Sequence, residues 1–113
     1  MGIKMSETKI SKAARKAIKR LFPQVRLTRM QAGIILKRGG GRVHCADAGW
    51  PDSVGYLPDG RFLAIEFKAP GGKVSEKQQE RIDDAISCNC VVIVADSVYG
   101  CLMELKKILE AIK

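Results

Sequence analysis

Ser53-Val54-Gly55-Tyr56-Leu57-Pro58-Asp59-Gly60-Arg61-Phe62-Leu63-Ala64-Ile65-Glu66-Phe67-Lys68 is the stretch that decides the fold. Residues 53–57 and 62–67 read as two strands, and Pro58-Asp59-Gly60-Arg61 reads as the turn that makes them a β-hairpin. Proline presets φ for such a turn, aspartate bonds its own backbone, and glycine takes the positive φ. Side chains alternate across a strand. Phe62, Ala64, Glu66 and Lys68 therefore share one face, and Leu63, Ile65 and Phe67 share the other. Glu66 and Lys68 project together from a strand otherwise rich in Phe, Leu and Ile. Partly burying a carboxylate and an ammonium is costly unless they pair or bind a metal.

Toward the N-terminus, Ser6 to about Phe22 reads as an amphipathic helix. Ile10, Ala14, Ile18 and Leu21 recur on its inward stripe, Ser6 caps it, and Pro23 ends it. Glu7 stands at the start of that stripe, where it either complements the helix macrodipole or points into a site. Val25 to Gln31 and Ile34 to Lys37 read as short strands around Gly33. Lys37-Arg38-Gly39-Gly40-Gly41-Arg42 follows as a basic loop. It lacks the Gly-Lys-Ser/Thr of a P-loop, and it serves equally well as a phosphate contact or an ordinary turn.

Toward the C-terminus, Ala69-Pro70-Gly71-Gly72 breaks the strand. Ser75-Glu76-Lys77-Gln78 has the form of a capping box opening a helix to about Cys88. Val91 to Ala95 is a short, fully apolar strand, expected to be central in its sheet. A last helix from Ser97 or Val98 to Ile112 turns Leu102, Leu105, Leu109 and Ile112 inward. Strand, helix and strand in this order imply a right-handed parallel crossover. The pattern is that of one α/β domain over residues 1–113.

The chain has 113 residues, 46% of them hydrophobic, enough for one core. A net charge of +8 favours a polyanionic partner, nucleic acid first, unless the cations merely solvate the surface. Aromatic residues are only 5%, which sets base stacking aside as the main mode of binding. No apolar run reaches the ~18 residues of a membrane span, and no secretory h-region is visible. Met1 to Ser6 matches a myristoylation pattern too short and frequent to weigh. Cys45, Cys88, Cys90 and Cys101 form no C-x-x-C pair, and Cys88-Asn89-Cys90 lacks the other half of a zinc site. Cys90 and Cys101 read as small core residues. Free thiols point to a reducing compartment, the cytoplasm.

Gly49-Trp50-Pro51-Asp52 precedes the hairpin, so adjacent antiparallel strands can bring Asp52 beside Glu66. Two carboxylates can hold a hard cation such as Mg²⁺, with the Phe67 carbonyl as a further oxygen, and Lys68 adds a charge toward a phosphate. That is the equipment of phosphodiester hydrolysis. Each fragment alone is common on protein surfaces; their combination in a basic chain is not.

With these residues in hand the chain resembles the virus-type replication–repair nucleases (VRR-NUC), a branch of the PD-(D/E)xK superfamily. The matching pieces are Glu7 in the first helix, Gly49-Trp50-Pro51-Asp52, Leu57 to Lys68, and Pro70-Gly71-Gly72-Lys73-Val74-Ser75 leading to Gln78. The resemblance implies a restriction-endonuclease-like fold, a mixed central β-sheet flanked by α-helices. It implies Asp52, Glu66 and the Phe67 carbonyl as ligands of Mg²⁺ or Mn²⁺, with Glu7 reaching the ion through water. Lys68 becomes the base or charge stabiliser, and Gln78 a site residue as well as a cap. His44 and the cysteines match no motif position. Stand-alone members from phages and bacteria resemble homodimeric endonucleases that cut four-way (Holliday) junctions. The resemblance therefore implies such an activity here, in a bacterial cell or a phage-infected host. A non-catalytic DNA-binding module and a nuclease of linear duplex are the alternatives.

Overall fold

The computed structural model describes residues 6–30, 34–47 and 49–112. In chain order the elements are α1 (Glu7–Leu21), β1 (Arg26–Arg29), β2 (Ile34–Leu36), β3 (Arg42–His44), β4 (Ser53–Tyr56), β5 (Phe62–Phe67), α2 (Glu76–Ser87), β6 (Val91–Ala95) and α3 (Val98–Ala111). Four strands make a sheet in the order β1-β4-β5-β6. β4 runs antiparallel to both of its neighbours, β1 and β5, and β6 runs parallel to β5. The sheet is thus mixed and flanked by helices, the architecture of the restriction-endonuclease-like fold expected from the sequence.

The hairpin forms as its sequence dictates. Leu57 N–H donates to the Arg61 carbonyl at 3.0 Å, and Gly60, at φ +90°, donates to the Leu57 carbonyl at 2.9 Å. Asp59 closes the turn through an ion pair of 2.7 Å with Arg61. Both faces of β5 are covered. Leu63, Ile65 and Phe67 are fully buried with Ile10, Ala14 and Ile18 of α1 and with Cys101 and Leu105 of α3. Each such large side chain contributes about 1.5–3 kcal/mol by leaving water. The opposite face, carrying Ala64 and Glu66, lies toward α2. Gly55 explains itself by its register: a Cβ there would sit 1.6 Å from the Arg26 carbonyl oxygen, so no side chain fits between β4 and β1.

Three details differ from the sequence reading. Among the described residues β6 pairs with β5 alone and ends the sheet. Ile93 and Ala95 of its apolar run are buried in the core, while Val94 on the other face is 47% exposed, so the run does not mark a central position. Leu21 is 53% exposed, because α1 ends at that residue and the stripe runs off the core. Arg42–His44 is a strand, not the end of a loop. It pairs with Ile34–Leu36 as a separate hairpin, closed by Lys37 N–H to the Gly41 carbonyl at 3.0 Å. Glycines 39, 40 and 41 all have positive φ in that turn. The expected strand end at Gln31, Gly33 between the two strands, and the Met1–Met5 part of the myristoylation pattern lie outside the described residues. Among the described residues no helix is long and apolar enough to cross a membrane.

Candidate active site

Asp52 is delivered to its place by the sheet. Its carbonyl accepts a hydrogen bond from Met30 N–H at 2.6 Å, which carries the β1–β4 ladder one residue past Ser53. Ser53 pairs with Ile65, so the antiparallel register sets Asp52 beside Glu66. The Asp52 backbone N–H donates to the Glu66 carboxylate. The two carboxylates, separated by a turn and a strand in sequence, therefore face one cleft, as the sequence reading required.

Gln78 ties the other half of the site together. Its Nε2 donates to Glu66 Oε1 at 2.9 Å, and its Oε1 accepts from Lys68 Nζ at 2.7 Å. The same Oε1 accepts from Ser75 N–H at 3.0 Å, while Ser75 Oγ accepts from Gln78 N–H at 3.2 Å. The capping box is thus complete, and the residue that caps α2 also orients an acid and a base. Lys68 Nζ stands 3.8 Å from Glu66 Oε1, with both side chains largely shielded from water. The same-face relation inferred from strand alternation holds.

Glu7 opens α1 behind the Ser6 cap, which accepts from Lys9 N–H at 3.2 Å. It lines the cleft with Asp52, Glu66 and Gln78, and its charge disfavours ionisation of both other acids. Position at the helix end and position in the cleft coincide. Phe67 buries its ring in the core on the far face of β5, leaving its backbone between Glu66 and Lys68. His44 and the cysteines do not line the cleft. All four thiols are free; Cys101 is buried in the core as expected, and Cys90 is half-buried.

Sequence reasoning missed one group. The Arg15 guanidinium donates to Ser53 Oγ at 3.1 Å and to Ser11 Oγ, and both serines are buried. These hydroxyls and the Arg15 charge favour the ionised form of Asp52. Arg15 sits on α1 among many cations, and only its spacing of one turn from Ser11 marked it in the sequence.

Burial dominates the electrostatics of the cleft, although Lys12, Arg15 and Arg29 line it with the three acids. Burial raises Asp52 above the ordinary carboxylate value despite Arg15 and the serines. Burial, then the charge of Asp52, push Glu66 up to about 7, with Lys68 opposing. One oxygen of Asp52, Oδ1, is buried with no hydrogen-bond partner. Two crowded carboxylates and an orphaned oxygen fit a divalent cation, which prefers oxygen ligands. Among the described residues no three His, Cys, Asp or Glu side chains group to hold an ion, so Glu7, Asp52 and Glu66 line the cleft without closing into a three-acid cage.

A stability prediction follows from the sign of the Glu66 shift. Its value of about 7 lies above the ordinary 4.5, so the folded state keeps a proton that the unfolded chain releases between those values. Stability attributable to Glu66 therefore falls as pH rises through that window and is lost above it. In chelator at pH 8, Glu66→Gln is expected to raise the melting temperature by roughly 5–10 °C. At pH 4, below that window, the two proteins should melt together. Mg²⁺ should then stabilise the wild type and not the variant. Thermal melts at the two pH values check this; a variant that melts lower at pH 8 would contradict it.

Beside the cleft, Lys12, Arg15, Lys16 and Lys19 of α1 and Arg26 and Arg29 of β1 border a groove that shares Lys12, Arg15 and Arg29 with it. The cations of the N-terminal half thus flank the acids. No curated protein and no solved structure matches the chain. The family model of the VRR-NUC domain matches residues 35–99, more than half of the sequence and the stretch that carries Asp52, Glu66, Lys68 and Gln78. The chain belongs to the VRR-NUC domain family, a family of nucleases.

Proposed function

We propose that this chain is a Mg²⁺- or Mn²⁺-dependent endodeoxyribonuclease that hydrolyses phosphodiester bonds in branched DNA, such as four-way junctions, and works as a homodimer. The observation that carries the reading is the pair of shielded carboxylates, Asp52 with an orphaned oxygen and Glu66 beside it, next to a lysine held by Gln78. Asp52 and Glu66 would hold the ion, with the Phe67 carbonyl and, through water, Glu7. When bound, the ion neutralises phosphoryl oxygens and makes water more acidic.

The protein's own groups supply the rest. Lys68, oriented by Gln78, either presents its ammonium to the attacked phosphate as a charge stabiliser or, as the neutral amine, takes the proton of the attacking water. Gln78 keeps Lys68 from collapsing onto Glu66 as a simple ion pair. Arg15 and the two serines favour the ionised form of Asp52 against its burial. The cationic groove along α1 and β1 carries the DNA backbone past the acids. A module that merely gripped DNA would gain nothing from three acids facing phosphates. All 113 residues act as one domain in this reading, with α1 contributing Glu7 from outside the matched stretch. The branched substrate and the dimer rest on the family resemblance and on geometry: a small domain offers little surface, and two symmetry-related sites make paired nicks. Free thiols suit a reducing cytoplasm, that of a bacterium or a phage-infected host.

The test is a panel of four-way junction, flap, single-stranded and linear duplex DNA, with protein of known oligomeric state. Symmetric incision of the junction by a dimer, at least about tenfold faster than of the duplex, is expected. Equal cutting of duplex and junction would assign the enzyme to linear DNA instead.

A further inference from the structure

A second cavity, of about 260 Å³, lies between α2 and the sheet. It exists because α2, though well capped, has no fully buried residue and stands off the strands beneath it. Trp50, Glu66 and Gln78 line both this cavity and the acid cleft, so the two spaces adjoin. Elsewhere its walls are mainly apolar, with Phe62, Ile82 and Ala85 among them.

The entrance is built. Gly49 has φ +94°, and a Cβ there would come 2.9 Å from the Lys77 carbonyl oxygen. The loop backbone therefore lies directly on α2 and fixes Trp50, the only tryptophan of the chain, at the rim. The Arg81 guanidinium stands 5.5 Å from the centre of the indole ring. Its ion pair with Asp47 is 3.8 Å long and largely exposed, so it holds the guanidinium only weakly.

We propose that this cavity receives one unstacked nucleobase from the nucleotide next to the cleaved phosphate. The inference rests on the nuclease reading above and names a source of its selectivity. A volume just under the ~300–1,000 Å³ typical of pockets for drug-sized ligands suits a single heteroaromatic ring system. An indole face and a guanidinium both stack on bases, and Asp84 offers a carboxylate for the base edge. The shared wall of Glu66 and Gln78 ties a base here to a phosphate in the cleft. Extruding a base costs most in intact duplex and least at a branch or mispair. The pocket thereby favours distorted DNA, while overall grip stays with the cations, in keeping with the chain's few aromatic residues.

Trp50 fluorescence tests this directly. Deoxyadenosine monophosphate in metal-free buffer is expected to quench it saturably, whereas deoxyribose 5-phosphate leaves it unchanged. Ala85→Leu, which fills the cavity from the α2 wall, should abolish the quenching, and the exposed Arg81→Ala should weaken it several-fold. In cleavage, an abasic nucleotide beside the cut should slow the wild type about tenfold and Ala85→Leu little further. Absent quenching, equal quenching by the sugar phosphate, or quenching that survives Ala85→Leu overturns the pocket. So does an Ala85→Leu that splits a dimer and leaves quenching intact, since the cavity is then a protein interface. Quenching without cleavage of any DNA keeps the pocket and removes the nuclease reading; cleavage without quenching removes the pocket alone.

Discussion

Asp52→Asn is expected to lower DNA cleavage at least ~10³-fold without unfolding the protein. The substitution keeps the shape of the side chain and leaves its backbone bond to Met30 intact. It removes a charge that burial already disfavours, so the fold loses little. The reaction loses one of the two carboxylates that the register sets side by side in the cleft. Metal stabilisation of transition-state charge amounts to several kcal/mol, and each ~1.4 kcal/mol is a factor of ten in rate. DNA binding should hold or tighten, because a negative charge facing phosphates is gone. Single-turnover cleavage and binding titrations on one junction check both halves. Retained cleavage, or binding that collapses with activity, would remove Asp52 from the chemistry.

Lys68→Met should lower cleavage ~10²–10³-fold, the cost of deleting one preorganised charge at a reacting centre. It should also destabilise the metal-free protein at pH 8, since Lys68 is the cation that opposes the crowding of Glu66 by Asp52 and Glu7. That sign is opposite to the one expected for Glu66→Gln, although the two side chains are neighbours. Gln78→Ala, which leaves the lysine in place but unheld, should cost about tenfold. Its loss should be smaller than that of Lys68→Met and should coincide with weaker capping of α2. The comparison separates a group that acts from a group that positions. Cleavage by Lys68→Met within a few-fold of the wild type would leave the ammonium a merely structural partner of Gln78.

Legibility in the sequence followed the range of the interactions. Local chemistry was readable: Pro58-Asp59-Gly60 fixed a hairpin, Ser75 and Gln78 a capping box, and the i, i+2 spacing of Glu66 and Lys68 a shared face. Those features placed most of the sheet and half of the cleft. Relations that need the whole fold were not readable. The bond from Arg15 to Ser53 spans 38 residues, and only the one-turn spacing from Ser11 distinguishes Arg15 from its basic neighbours. The edge position of β6 was hidden because Val94, though 47% exposed, is as apolar as its buried neighbours Ile93 and Ala95. Arg42-Val43-His44 pairs through its backbone and carries no strand signature of its own. The double role of Gln78 was only half legible: its spacing from Ser75 announced the cap, and the family resemblance its place in the site.

The central claim is that these acids and this lysine make a metal-dependent nuclease. Its most direct test is cleavage of one labelled four-way junction by wild type and Glu66→Gln, in chelator and across a Mg²⁺ titration. No cutting in chelator, incision by the wild type that rises and saturates with Mg²⁺, and at least ~10³-fold less by the variant at every concentration are predicted. Wild-type cutting that persists in chelator, or a variant that matches the wild type, would contradict it.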